Sequence, residues 1–187
     1  MKYITSFLRI IKRLLHEEMY SDPKRAVELY RKKGVEIGQN TEIYNTSIDS
    51  LRPFLVTIGD NVLITGSRIL THDASTKKFM GYTKLGTVII GNNVFIGFGC
   101  IILPGVTIGN NVIIGAGTVV SKNIEDNSVV VGNPMRVVGT LDANLAKNRA
   151  MLDDTPVFSQ NYQMNESEKL EMKKLLENRI GYVKCEE

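Results

Sequence analysis

Residues 90–124 read IGNNVFIGFGCIILPGVTIGNNVIIGAGTVVSKNI, and the period of this stretch decides the fold. Ile90, Ile96, Ile102, Ile108, Ile114 and Val120 fall six apart without a break. The residues just after them, Gly91, Gly97, Leu103, Gly109, Gly115 and Ser121, are mostly small. Four positions after each aliphatic come Val94, Cys100, Val106, Val112, Thr118 and Ile124, mostly small or β-branched. An α-helix cannot use this pattern, because six steps of about 100° make roughly 600° and the apolar stripe drifts off its face. A hairpin sheet would need turn signals and reversals of direction. A coil with three short faces satisfies the pattern. Six residues per face return the same position over itself, so Ile90 stacks on Ile108 and Ile96 on Ile114. Successive coils then pair as parallel strands about 4.8 Å apart and bury one aliphatic column.

The period continues upstream. Ile58, Ile64 and Leu70 are spaced by six, and Ile37 and Ile43 begin an earlier coil. Gly and Asn at the corners, as in Gly91-Asn92-Asn93 and Gly109-Asn110-Asn111, are expected to supply the backbone freedom for each bend. Between Leu70 and Ile90 the step is too long for one coil, and residues 72–86, HDASTKKFMGYTKLG, lack the repeat. They are expected to form a loop pushed out of the coil with His72 at its root, a favoured place for function.

The ends read as helical. Phe7, Ile10, Ile11, Leu14 and Leu15 form an i, i+3, i+4 stripe, Pro23 opens a second short helix, and Gly34 closes it. Ser167 is a possible cap for a last helix carrying Leu170, Leu175 and Leu176, with Gly181 past its end. Residues 141–165 show no clear period. The expected organisation is a helical segment over 1–34, a coil over 35–140 with the loop 72–86, and a tail with a helix over 141–187.

Composition narrows the chemistry. The 187 residues hold only two His, so a three-histidine metal centre cannot be built from one chain, and only two Cys, which give no disulfide framework. No metal is expected. The net charge of +3 is terminal: residues 1–34 hold nine Lys/Arg against four Asp/Glu, residues 35–140 seven against seven, and 141–187 seven against nine. The balanced middle argues against a nucleic-acid partner. Arg9, Lys12 and Arg13 interrupt the first apolar stretch, so it is not read as a signal peptide, and no run approaches a membrane span. A cytoplasmic location is expected. The basic N-terminal stripe is read as a helix packed over the end of the coil, ahead of a membrane-surface role.

The stretch from Ile90 to Val138 resembles the hexapeptide-repeat acyltransferases, and within them the galactoside, maltose and xenobiotic acetyltransferase branch. The likeness rests on the in-register hexads, the Ile114-Gly-Ala-Gly-Thr118 step, the Val120-Ser-Lys122 step and the terminal Gly132-Asn-Pro-Met-Arg136. The resemblance implies a mainly β fold, a left-handed parallel β-helix with short N- and C-terminal helices, against the usual right-handed crossover. It also implies a homotrimer with active sites between subunits, and acetyl-CoA as co-substrate.

His72 matches the position of the family's catalytic base, which stands at the root of an ejected loop. An acceptor hydroxyl attacks a thioester poorly until a base takes its proton, and imidazole is matched to neutral pH. The developing oxyanion needs a donor, for which the resemblance suggests a backbone N–H around Gly97–Phe98. The family's coenzyme A site maps onto Phe98, Ala116, Ser121, Lys122 and Arg136, where cations would meet the cofactor's phosphates. Asn45, Asp49 and Arg52 are candidates for the acceptor pocket, and Asp73 for orienting His72 or touching acceptor. The segment from Tyr44 to Pro53, together with Leu70-Thr-His-Asp73, looks most like acetyltransferases of polysaccharide assembly. The expected reaction is acetyl transfer to a hydroxyl of a sugar or glycan intermediate. The competing readings are a xenobiotic acetyltransferase and a hexapeptide scaffold without catalysis. His16 is read as a helix residue, and Cys100 as core.

Overall fold

The structure is a computed structural model in which residues 22–160 and 163–185 are described. The apolar stripe at residues 7–15 and His16 lie outside them. The coil is a left-handed parallel β-helix with three faces. The first face stacks strands Glu36–Ile37, Val56–Ile58, Val88–Ile90 and Thr107–Ile108. The second stacks Glu42–Tyr44, Leu63–Thr65, Val94–Ile96, Val112–Ile114 and Ser128–Val131. The third stacks Ser47–Ile48, Arg68–Ile69, Ile101–Ile102 and Val119–Val120. The chain runs from first face to second to third, and every pairing between coils is parallel until Arg136–Thr140 closes the second face antiparallel to Ser128–Val131.

Ile90 pairs in register with Ile108, Ile96 with Ile114 and Ile102 with Val120, and all of these side chains are fully buried. Complete burial of each such side chain contributes about 1.5–3 kcal/mol. Leu70 departs from the expectation. The buried residue of its strand is Ile69, which pairs with Ile102, so the step from Ile64 is five rather than six. Ile48 follows Ile43 by the same shortened step. In both early coils two residues, Asn45-Thr46 and Gly66-Ser67, join the second face to the third, against four, Gly97-Phe98-Gly99-Cys100, in the coil below, and the step between buried residues is one shorter.

The corner between the first and second faces is repeated at every level. Asn40, Asn61, Asn93, Asn111 and Asn127 all have positive φ. Asn61 Nδ2 donates to Asn93 Oδ1 at 3.1 Å, and Asn93 Nδ2 donates to Asn111 Oδ1 at 3.0 Å. The Asn residues therefore take the left-handed bend, and the glycines beside them answer a different demand. A Cβ on Gly91 would lie 2.7 Å from the carbonyl oxygen of Gly109 in the next coil, so glycine there permits close approach.

An amphipathic helix, Pro23–Lys32, closes the first coil. Asp22 caps it by accepting from the N–H groups of Lys24 and Arg25, and Pro23 stands at its first position. Ala26, Val27 and Tyr30 are buried in the same core as the aliphatic column. The Tyr30 hydroxyl donates to the Thr46 carbonyl at 2.7 Å, and Arg31 reaches the carbonyls of Ile37 and Gly38.

Residues 142–187 form a second compact unit. Residues 141–152 are helical although no apolar period marks them, because Leu, Ala, Lys and Arg are good helix formers. The last helix, Glu166–Leu175, is capped by Asn165 rather than Ser167, through a capping box with Glu168. It stops at Leu176, before Gly181, which leads into a two-stranded parallel pair of Val157–Ser159 with Tyr182–Lys184.

Candidate active site

The corner between the third and first faces interrupts the coil twice. After Ile48 the chain makes a turn at Asp49–Arg52 and a short 3₁₀ helix at Pro53–Leu55. After Ile69, one coil further on, it leaves the coil as a hairpin in which His72–Asp73 pairs antiparallel with Lys84–Leu85. A four-residue helical turn, Lys77–Met80, forms the tip. The two interruptions are stacked, since Ser47–Ile48 pairs with Arg68–Ile69, and they bring Asp49 against His72.

Asp49 Oδ2 is hydrogen-bonded to His72 Nδ1. The same oxygen accepts the Thr71 hydroxyl at 2.8 Å and the Thr71 N–H at 3.1 Å, while Oδ1 accepts the Leu51 N–H at 2.9 Å and the Arg52 N–H at 3.4 Å. Burial alone would raise this carboxyl. The donors, led by His72 and the Leu51 N–H, outweigh it and hold Asp49 well below the ordinary carboxylate range. An ionised Asp49 can only accept, so it fixes the proton of a neutral imidazole on Nδ1 and leaves the lone pair on Nε2. The His72 side chain is 29% exposed while that of Asp49 is 1% exposed. One nitrogen is thus anchored in the protein, on a ring that is itself partly exposed.

Asp73 does not orient His72. Its carboxylate accepts the Ser75 N–H at 2.8 Å and lies 3.7 Å from Lys84 Nζ. The Ser75 backbone, then its hydroxyl, and then Lys84 hold it below its usual value. Asn45 is exposed with a φ of 45°, on the corner between second and third faces, where it makes the bend. Arg52 is half-buried beside Asp49, and no carboxylate among the described residues pairs with it.

The remaining expected residues lie on two corners. Gly97, Phe98 and Ala116 turn from second to third face, while Ser121 and Lys122 turn from third to first, as His72 does, but further along the coil. Arg136 opens the closing antiparallel strand, and Ala116, Ser121, Lys122 and Arg136 are all exposed. One chain does not bring the two sets together on one corner. The Gly97 N–H is spent on the Ile114 carbonyl at 2.8 Å, so it cannot serve an oxyanion without breaking the ladder. Phe98 is 71% exposed, and its ring lies where a Cβ on Gly66 would fall, so it covers the turn above. Cys100 is fully buried, and burial pushes its thiol up, in keeping with core.

The sequence singled out Asp49 as a candidate for the acceptor pocket and not as the partner of His72. The signal that could have found its partner is Thr71, a polar residue beside His72 that is fully buried and bonds Asp49 twice.

Residues 87–122 match the family described as bacterial transferase hexapeptide (six repeats). Over 182 residues the chain is 36% identical to Protein CapG of Staphylococcus aureus, covering 94% of this chain and 98% of that one. This chain belongs to the hexapeptide-repeat acetyltransferase family. It is 41% identical over 110 residues to the galactoside O-acetyltransferase of Escherichia coli K12, covering 56% of this chain and 53% of that protein. The hexapeptide-repeat acetyltransferase VCA0836 of Vibrio cholerae, solved with acetyl coenzyme A, superposes with a TM-score of 0.52 at 31% identity. That match covers 58% of this chain and 61% of the other, and so spans less than two thirds of the solved protein. Among the described residues no helix is long and apolar enough to cross a membrane.

Proposed function

We propose that this acetyltransferase moves acetyl from acetyl-CoA to a hydroxyl of a sugar or glycan intermediate, with His72 as general base. The observation that carries the reading is the anchored imidazole: Nδ1 is tied to a buried carboxylate while the ring stays partly exposed. Nε2 takes the acceptor's proton as its oxygen attacks the thioester carbonyl. The tetrahedral oxyanion collapses, the C–S bond breaks, and the protonated imidazole returns its proton to the leaving thiolate. Asp49 stays ionised and stabilises the imidazolium between these steps. No group of the protein is acylated; the thiol of the coil, Cys100, is buried on the other corner, between second and third faces, and burial pushes its pKa up.

Lys122 and Arg136 are the cations proposed for the phosphates of coenzyme A. Both are exposed, and no carboxylate among the described residues pairs with them. With the Gly97 N–H engaged, the Phe98 N–H is the proposed oxyanion donor of that turn. Because these residues occupy two corners of one coil, the complete site is proposed to form between copies of the chain in a homotrimer. The sugar acceptor is supported by kinship with a galactoside O-acetyltransferase.

Calorimetric titration of acetyl-CoA into the wild type and the Arg136→Ala variant tests the donor site. Saturable binding that weakens about tenfold in the variant supports it, the scale of one charge-assisted phosphate contact. A folded protein that does not bind acetyl-CoA would sink the reading.

A further inference from the structure

The corner that holds His72 is unevenly charged. Its carboxylates are spent: Asp49 on His72, Thr71 and two backbone N–H groups, and Asp73 on Ser75 and Lys84. Its cations are not. Among the described residues, Arg52, Arg68, Lys77 and Lys78 have no carboxylate within 4.0 Å. Arg52 follows Asp49 in the turn, and Arg68 lies on the strand that leads to His72. Lys77 and Lys78 stand on the hairpin that His72 begins. On the same hairpin Phe79 is 84% exposed and Tyr82 is 75% exposed.

Deepening the function proposed above, and resting on it, we infer that the acceptor is an anionic sugar, carrying a carboxylate or phosphate close to the hydroxyl that is acetylated. Four cations on the elements that carry and flank His72, none paired with a carboxylate, repel each other and raise the local positive potential. An anion entering that corner relieves the repulsion and is drawn towards His72; a neutral sugar does neither. The aromatic rings supply the apolar surface against which the carbon-rich face of a sugar packs. An anionic membrane would engage the hairpin tip alone. Here the cations are not confined to the tip, because Arg52 stands in the turn that holds Asp49 and Arg68 on the strand that leads to His72. The donor phosphates are provided for separately, by Lys122 and Arg136 further along the coil.

The test is a matched series, galactose, galacturonic acid and galactose 1-phosphate, titrated into the full chain with and without bound coenzyme A. At least one charged sugar is expected to bind about tenfold more tightly than galactose, with the gap narrowing in about 0.5 M salt. The carboxylate and phosphate arms identify which anion is meant. In the Lys77→Gln/Lys78→Gln variant the preference should fall at least about threefold while coenzyme A affinity stays unchanged. Equal binding of all three sugars, no binding of either charged one, or a preference untouched by the variant overturns the inference. Loss of coenzyme A binding by the wild type would instead strike the donor assignment, and the titrations without coenzyme A would still decide the charge question.

Discussion

Two corners of the same coil have opposite characters. Where the first face turns into the second, Asn40, Asn61, Asn93, Asn111 and Asn127 repeat one bend at five levels, and their side-chain amides bond along the axis. Where the third face turns into the first, a 3₁₀ turn, a hairpin and two plain turns follow one another. At the first corner the Asn amides of successive coils bond to one another. At the second, polar groups from successive coils converge on one imidazole. A rigid, self-bonded corner lets the opposite one vary without loss of the column between them, so stability and chemistry are separable in this fold.

That separation can be broken by experiment, and the largest effect is expected at the variable corner. His72→Ala should lower acetyl transfer about 10²–10⁴-fold, the usual contribution of a general base, with the melting temperature and acetyl-CoA affinity unchanged. Asp49→Asn should lower kcat by about 10²-fold, at the lower end of that range, because the amide no longer enforces one tautomer and cannot stabilise the imidazolium. A structural role alone would lower the melting temperature and leave kcat of the folded protein unchanged, whereas loss of this partner should lower kcat at full folding.

At the regular corner the effects should be on stability and not on rate. Gly91→Ala forces a Cβ onto the Gly109 carbonyl and should destabilise by about 1–3 kcal/mol, read from denaturant midpoints. Asn93→Ala loses two ladder bonds and places alanine at a φ of 56°, for about 1–2 kcal/mol. If either variant lowered turnover at full folding, the two corners would not be independent.

The smallest effect sharpens the comparison through pH. Asp49 is held below its unfolded value, so its contribution to stability is present above about pH 4 and is lost as pH falls further. Thermal melts between pH 7 and 3 should therefore decline more steeply for the wild type than for Asp49→Asn.

The coil was legible because a buried column repeats a constraint at each level, and Ile90 through Val120 carry it without a gap. The shortened steps at Ile48 and Ile69 were not, since Leu70 keeps the sixfold spacing while the backbone turn beneath it drops a residue. Gly and Asn at the Gly91-Asn92-Asn93 and Gly109-Asn110-Asn111 corners were both expected to supply backbone freedom; there Asn93 and Asn111 take the left-handed bend, while Gly91 admits the neighbouring coil. His72 stood out as the one His of the repeat region. Its bond to Asp49 did not, because residues twenty-three apart become neighbours only once the shortened coil fixes their register. The helix at 141–152 escaped for a simpler reason: it buries no residue, so no period was imposed on it.

The most direct test of the account is thiol release from acetyl-CoA across a panel of neutral and anionic sugars, for the wild type and His72→Ala at matched acetyl-CoA occupancy. The account predicts acceptor-stimulated release by the wild type that His72→Ala loses while still binding acetyl-CoA. Equal release by both proteins would contradict it, and the anchored imidazole would then be a structural feature of the corner and not its base.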